Sequence, residues 1–199
     1  VSAAVGDWPT IRAWRKAERE RLIAARLAIP RPERAAAEAA IAERLEALTR
    51  QAAPALVGFY WPFRGEFDGR PLARRLIAEG LRFALPVVVA KGQPLEFREW
   101  RPGIPMTHGI WNIPIPAAGP PVAPDLAWVP LVGFDAGCYR LGYGGGFYDR
   151  TLAAARPRPR TVGIGYDVQR LDSIAPQPHD IPMDTILTPT LAMERPASA

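Results

Sequence analysis

Between Cys138 and Asp149 the chain places four glycines, Gly142, Gly144, Gly145 and Gly146, two residues after Arg140 and three before Asp149. Glycine has no Cβ, so such a run lets the backbone take positive φ and come close to a ligand. Upstream, the apolar run from Leu126 to Phe134 reads as a buried strand, and Phe147 to Ala155 downstream reads as a helix. The glycines would then form a strand-to-helix turn, where the first free N–H groups of the helix favour an anion. Arg140 adds a planar fork for phosphate oxygens. Asp149 gains roughly 0.3–1 kcal/mol from the helix dipole in any setting. Beside a polyphosphate, however, its charge would repel unless Mg²⁺ sat between the two, as magnesium sites combine carboxylates with substrate phosphates. Neither the P-loop pattern nor the dinucleotide glycine spacing is present. A tight packing turn is the plain alternative.

A second concentration of charge lies near the start. Residues 12 to 26 contain Arg12, Arg15, Lys16, Arg19, Arg21 and Arg26 against Glu18 and Glu20. At 3.6 residues per turn, Arg12, Arg15, Arg19 and Arg26 share a stripe beside an apolar one of Ile11, Trp14, Leu22, Ala25 and Ile29. This predicts a helix docked by one face with arginines aimed at a neighbour, the alternative being a solvated basic face.

The elements that would position these groups alternate. Pro32 to Thr49 reads as an alanine-rich helix, residues 55 to 60 as a strand, Arg70 to Glu79 as a helix, and residues 81 to 89 as another strand. Residues 160 to 166 and 185 to 188 add two more strands. The expectation is an α/β fold of three layers, a mainly parallel open sheet flanked by helices. Residues 91 to 125, rich in proline and glycine, read as a small antiparallel excursion. A single domain is expected over residues 10 to 190, with loose ends at 1 to 9 and 190 to 199. Ligands of open parallel sheets bind beyond the carboxyl ends of the strands. The loops after residues 60, 89, 134 and 166 are therefore expected to face one crevice.

Composition sets the class. The chain has 199 residues, is 48% hydrophobic and carries a formal net charge of +5, ordinary values for a globule with one core. No stretch approaches the ~20 apolar residues of a membrane span. Basic residues from Arg12 onward are not followed by an apolar signal segment, and the single Cys138 suits a reducing compartment, so a cytoplasmic protein is expected. Cys138 reads as a structural thiol, and His108 and His179 as loop or structural residues.

The string from Phe134 and Asp135 through Gly137, Leu141, the four glycines, Phe147, Tyr148, Asp149 and Arg150 resembles the signature of the 5-formyltetrahydrofolate cyclo-ligases, or methenyltetrahydrofolate synthetases. The resemblance runs over about residues 15 to 189. Arg15, Lys16 and Arg19 resemble the family's Lys-x-x-x-Arg opening helix, with Arg15 in the lysine position, which leaves open whether Arg15 or Lys16 meets nucleotide. Trp61 to Glu66 is similar to its folate-contacting segment, Leu95 to Trp100 to its Leu-x-Phe-x-x-Trp stretch, and His179 to Asp184 to the segment whose last aspartate shares the metal.

The resemblance implies ATP- and Mg²⁺-dependent conversion of 5-formyltetrahydrofolate to 5,10-methenyltetrahydrofolate, with ADP and phosphate released. It implies ATP contacts from Arg15, Lys16, Arg19, Arg140, Leu141, Gly142, Tyr143, Gly144, Gly145, Gly146, Phe147 and Tyr148, with Arg140 and Tyr143 as the catalytic pair. Folate would meet Trp61, Glu66, Trp100, Tyr143 and Tyr148, and the metal Asp149 and Asp184. The expected partners are the small-molecule folate and ATP, acting on a monomer without membrane or nucleic acid. A non-catalytic module of the same fold, binding folate, nucleotide or RNA, is the competing reading. RNA recognition calls for exposed aromatics on a basic face, whereas the aromatics here gather near predicted strand ends.

Overall fold

The structure is a computed structural model and describes residues 6–197. Twelve strands and four α-helices follow in the order α1 (Trp8–Leu27), α2 (Arg31–Ala52), β1 (Leu56–Gly58), α3 (Arg70–Ala78), β2 (Arg82–Val87), β3 (Glu96–Trp100), β4 (Met106–His108), β5 (Pro114–Pro116), β6 (Pro121–Val122), β7 (Leu126–Pro130), β8 (Gly133–Phe134), β9 (Arg140–Leu141), α4 (Phe147–Ala154), β10 (Arg160–Ile164), β11 (Thr185–Leu187) and β12 (Ala192–Glu194). Eight of the strands make one sheet in the order β12-β11-β10-β7-β1-β2-β3-β6. From β11 across to β2 all neighbours pair parallel, while β12, β3 and β6 join antiparallel at the edges.

The period-two pattern of the strands separates two cores. Along β7, Leu126 and Trp128 pack on one face with Ile41 and Leu45 of α2 and Leu72 and Leu76 of α3. Ala127 and Val129 face the other way, toward Leu152 of α4, Met183 and Ile186. A sheet covered on both faces must be apolar on both, and the run Leu126–Val129 is buried throughout. Helices on the two faces of a mostly parallel sheet give the expected three-layer α/β architecture, and β3 to β6 form the expected antiparallel excursion.

Helix α1 starts where the Asp7 carboxylate accepts from the Thr10 N–H at 3.1 Å, a side-chain cap of the usual kind. Its buried residues are Ile11, Arg15, Glu18, Leu22 and Arg26. Arg15 and Arg26 of the arginine stripe therefore belong to the docked face itself, while Arg19 is half-buried and Arg12 exposed. Leu22 packs with Val132, Leu141 and Ile174.

Two expectations are corrected. Residues 6–9 and 190–197 are not simply loose: Trp8 and Pro9 belong to α1, and β12 extends the sheet by pairing Met193 with Ile186. Residues 1–5 and 198–199 of the expected loose ends lie outside the described residues. The run from Leu126 to Phe134 is not one strand, because the chain leaves the main sheet after Pro130 and folds β8 on β9 as a separate hairpin. The glycine turn thus follows a hairpin, which carries Arg140 on its second strand. Among the described residues no helix is long and apolar enough to cross a membrane.

Candidate active site

Tyr60 and Trp61 follow β1, Val88 follows β2 and Pro130 ends β7, and all four line one cavity of about 640 Å³. That volume is in the range of small-molecule sites. Arg15 and Arg19 of α1, the glycine turn, the start of α4 and residues 178–181 complete much of the lining. The loop after residue 166 does not join it. Instead the Tyr166 hydroxyl donates to Glu38 at 3.0 Å, which holds that loop against α2.

The glycine turn is held from behind by its carbonyls. Arg19 Nε donates to the Gly142 carbonyl at 2.6 Å, and Arg150 Nη2 to that of Gly145 at 2.5 Å. Gly144 and Gly146 take φ of 92° and 64°, values that disfavour any residue with a Cβ. A Cβ on Gly142 would lie 2.5 Å from Arg140 Nη1, so a side chain there would push the guanidinium from its place. Gly146 caps α4 without a side-chain hydrogen bond, and the first backbone N–H groups of the helix carry its positive dipole end.

Arg140 sits at this turn, buried, with its guanidinium 5.2 Å from the centre of the Tyr148 ring. Its Nη2 meets Asp149 Oδ2 at 3.2 Å, while its buried Nε has no partner. The buried Tyr148 and Tyr60 hydroxyls are likewise unpartnered. Burial pushes both phenols above their ordinary range, so they stand as neutral donors.

The carboxylates divide in a way the sequence did not show. Asp149 faces the cavity and its Oδ1 accepts from the Ile181 N–H at 3.2 Å. Asp180, the next residue back, also lines the cavity and pairs with Arg15 at 2.5 Å. Asp184 does not. It stands at the start of β11, where Oδ2 accepts from the Thr161 N–H at 2.9 Å and the Thr161 hydroxyl at 2.8 Å. This is the amino end of the parallel strands, opposite the cavity, so the expected pairing of Asp149 with Asp184 on one metal is corrected. The segment from His179 to Asp184 contains two aspartates, and spacing alone could not choose between them.

Among the described residues no group of three or more His, Cys, Asp or Glu side chains forms a metal cage. Mg²⁺ needs no such cage, since one or two carboxylates with phosphate and water suffice. Asp149 with Asp180 fits that donor set beside an anion cradle.

The other wall is aromatic and acidic. Glu66 is buried, accepts from the Phe63 N–H at 2.8 Å and takes a hydrogen bond from the Tyr143 hydroxyl at 2.8 Å. Burial raises its carboxyl to about 7, against the opposing pull of the Arg26 charge and these two donors. Phe63 and Trp111 stack with centroids 6.2 Å apart and planes at 9°, and Tyr143 lies 5.7 Å from the first and 6.2 Å from the second. Trp61 also lines the cavity, with the Arg70 guanidinium 4.6 Å over its ring. Trp111 went unnoticed in the sequence because it lies in the irregular stretch between β4 and β5. Its backbone, like that of Asn112, takes positive φ, at 54° and 58°, and strain of that kind collects at functional sites. A tryptophan in a proline-rich loop was the available signal.

Three further expectations are resolved by position. Trp100 is buried on β3, 5.2 Å from the Phe59 ring, and belongs to the core; it does not line the cavity. Lys16 is exposed and lines a shallow concavity outside the main cavity, with Trp8, Arg12, Arg19, Tyr143 and Gly144. Arg15 is inside, but its donors are occupied by Asp180 and the Ile174 and Ala175 carbonyls. Leu141, Phe147, Tyr148 and the glycines all line the main cavity. Burial with the nearby Asp135 charge lifts the Cys138 thiol to about 11, which leaves it inert.

Across one cavity, a glycine turn with a buried arginine and two carboxylates faces an aromatic wall with one buried glutamate. Comparison with known proteins narrows the class. The family model described as the 5-formyltetrahydrofolate cyclo-ligase family matches residues 11–189, and the chain belongs to that family. A 5-formyltetrahydrofolate cyclo-ligase of Escherichia coli K12 is 33% identical over 146 residues, 69% of this chain and 80% of the relative. One from Mycolicibacterium smegmatis is 33% identical over 143 residues, 65% of this chain and 71% of the relative. The solution structure of the Aquifex aeolicus 5,10-methenyltetrahydrofolate synthetase superposes with a TM-score of 0.80 at 25% identity, covering 93% of this chain and 94% of that one.

Proposed function

We propose that the enzyme converts 5-formyltetrahydrofolate to 5,10-methenyltetrahydrofolate, using ATP and releasing ADP and phosphate, in the cytoplasm and as a monomer. The observation that carries the reading is one cavity that joins an anion cradle to a buried carboxylate framed by aromatic rings. The family model's extent, residues 11–189, supports taking residues 10 to 190 as a single catalytic domain.

A formamide oxygen is a poor leaving group. Transfer of the γ-phosphoryl group to that oxygen turns it into phosphate, and N10 of the folate then attacks the formyl carbon and closes the ring as phosphate departs. Phosphoryl transfer asks a protein for position and charge more than for covalent help. In this reading the N–H groups of the glycine turn and of the start of α4 hold phosphate oxygens. Arg140, which lines the cavity beside the turn, stabilises charge on the transferred group. Arg19 keeps the turn in place through the Gly142 carbonyl. Asp149 and Asp180 would hold Mg²⁺, whose contribution is to neutralise phosphate charge. On the far wall, ionised Glu66 accepts from the amino-pyrimidinone edge of the pterin, and Trp61, Phe63 and Trp111 give its rings an apolar slot.

The test is direct. Supplied with 5-formyltetrahydrofolate, ATP and Mg²⁺, the enzyme is expected to raise methenyl-folate absorbance with one phosphate released per turnover. Folate binding without turnover at high enzyme concentration would establish the non-catalytic module instead.

A further inference from the structure

Arg26 is one of the most deeply buried side chains of the molecule, at 1% exposure, and neither the glycine signature nor the cavity lining includes it. Burying a guanidinium is costly unless its N–H groups are used. Here they reach three separate segments. Nε donates to the Arg64 carbonyl at 3.0 Å, Nη1 to the Leu131 carbonyl at 3.1 Å, and Nη2 to the Tyr143 hydroxyl at 2.9 Å. The Tyr143 hydroxyl directs its own proton to Glu66 Oε1 at 2.8 Å.

These contacts form a hydrogen-bonded route that joins the two walls of the cavity. Arg64 and Gly65 turn the chain with φ of 47° and 77°, and that turn delivers Glu66. Arg26 grips it at the Arg64 carbonyl, and Arg34 Nη1 grips it at Gly65 at 2.9 Å. Tyr143 sits inside the glycine run, between Gly142 and Gly144. A phenol can rotate its hydroxyl proton toward any acceptor. With a guanidinium donating to its oxygen, the proton is directed to the carboxylate.

We propose that Arg26 is a positioning residue: its fork fixes the Tyr143 hydroxyl and the Arg64–Gly65 turn together, so that Glu66 is presented ionised and correctly aimed to the folate while the glycine turn stays in register with it. The inference rests on the folate reading above and deepens it. Electrostatics agree with the geometry. The charged groups facing Glu66 reduce to Arg26, because Tyr143, Tyr60 and Tyr148 are all raised by burial and neutral. After burial, which raises it, the Arg26 charge is the largest influence on the Glu66 carboxyl, and it lowers it.

The experiment measures binding of 5-formyltetrahydrofolate without ATP, by tryptophan fluorescence, from about pH 5.5 to about 8.5, a span that brackets a carboxyl raised to about 7. The proteins are wild type, Arg26→Gln, Arg26→Lys, Tyr143→Phe and Arg26→Gln with Tyr143→Phe. Wild-type affinity is expected to fall on the acid side of a limb near neutrality. In Arg26→Gln the limb moves up by roughly one pH unit, the scale of a lost opposite charge. Arg26→Lys restores the limb position without restoring full affinity, since an ammonium cannot hold three acceptors in a planar fork. The double variant is no weaker than Arg26→Gln alone within about twofold, because coupled residues are non-additive. A folded Arg26→Gln protein with the wild-type limb, or additive effects with Tyr143→Phe, overturns the proposal. Should Arg26→Gln fail to fold, Arg26→Lys with and without Tyr143→Phe carries the additivity test, and additive effects there overturn the proposal equally. Absence of folate binding in wild type overturns the functional reading and this proposal with it, a result separable because no substitution is involved.

Discussion

Arginine–carboxylate pairs occur at both ends of the parallel strands, and the two ends differ in what they leave unfinished. At the carboxyl ends Arg140 pairs with Asp149 and Arg15 with Asp180, all four side chains at 16% exposure or less. At the amino ends Arg158 and Arg195 stand 3.7 Å from Asp184, with exposures from 28% to 41%. Asp184 is fully employed by Thr161, whereas the cavity keeps Arg140 Nε and two tyrosine hydroxyls without partners. A buried polar atom left unsatisfied costs roughly 1–3 kcal/mol. Open ion pairs of the second kind contribute little. The cavity end carries at least three such atoms, whereas the amino end carries the Thr185 hydroxyl beside Asp184, so the two ends differ in how many buried groups go unpaired and in how deeply their ion pairs are buried.

Substituting the two aspartates is the sharpest way to break this contrast. Asp149→Asn is expected to lower turnover by on the order of 10²- to 10³-fold, the scale of a lost electrostatic group in an active site, with little change in melting temperature. Asp184→Ala should leave turnover within about threefold. It strands the Thr161 N–H and hydroxyl, so about 1–3 kcal/mol of stability should be lost. Steady-state rates and denaturant melts on both variants decide it; the reverse pattern would return Asp184 to the site.

Glu66 gives the next largest effect and has a sign that can be worked out. Its carboxyl is raised from 4.5 to about 7 by burial, so the folded protein binds this proton more tightly than the unfolded chain. The stabilisation is present in full below about pH 4.5 and is lost as pH rises through about 7. Glu66→Gln should remove that slope from a stability-versus-pH series. It should also weaken folate binding by about 10- to 100-fold above neutrality, where a charged acceptor is replaced by a neutral one, and by much less at low pH. Parallel slopes for the two proteins would mean that Glu66 does not carry the shift.

The glycine turn, Arg140, Asp149 and the sheet were legible through local signatures, namely missing Cβ atoms, a strand followed by a helix and period-two apolar runs, whereas Glu66 entered only through the family resemblance of the segment from Trp61 to Glu66. It failed where the answer depended on which end of a strand a residue occupies. Asp180 and Asp184 sit four positions apart and look alike in sequence, yet the start of β11 places them at opposite ends of the sheet. The arginine stripe of α1 was visible, but burial was not, so Arg26 read as one of several arginines aimed at a neighbour and nothing set it apart from Arg12, Arg15 and Arg19. Trp100 and Trp111 were inverted for a similar reason. Trp100 stood out through its likeness to the family's Leu-x-Phe-x-x-Trp stretch, while the tryptophan in an irregular loop had no such motif around it.

That inversion supplies a third prediction. Trp111→Ala should raise the folate KM about tenfold, from lost stacking area and geometry, and should leave stability almost unchanged because the side chain is 54% exposed. Trp100→Ala should instead cost about 3–5 kcal/mol of stability, as core tryptophan truncations do. Its folate KM, measured on the folded fraction, should stay near wild type. A folate defect in Trp100→Ala without loss of stability would put that residue back among the binding groups.

The smallest effect concerns the rim. Lys16 lies outside the main cavity, in the shallow concavity shared with Arg12, Arg19 and Gly144, so it can act on a nucleotide only as an exposed charge. Such a charge is screened within about 10 Å at 0.1 M salt and contributes under about 1 kcal/mol. Lys16→Ala should therefore raise the ATP KM two- to threefold at low ionic strength, leave kcat unchanged, and become indistinguishable from wild type near 0.5 M salt, where the screening length falls to about 4 Å. Arg15, buried against Asp180, should behave differently. Arg15→Met leaves that carboxylate without its partner at the cavity wall, so its loss should persist in salt and appear in kcat. If instead Lys16→Ala keeps a salt-independent defect, the ammonium is enclosed on nucleotide binding, and the concavity on the outer face of α1 is part of the nucleotide site and not its rim.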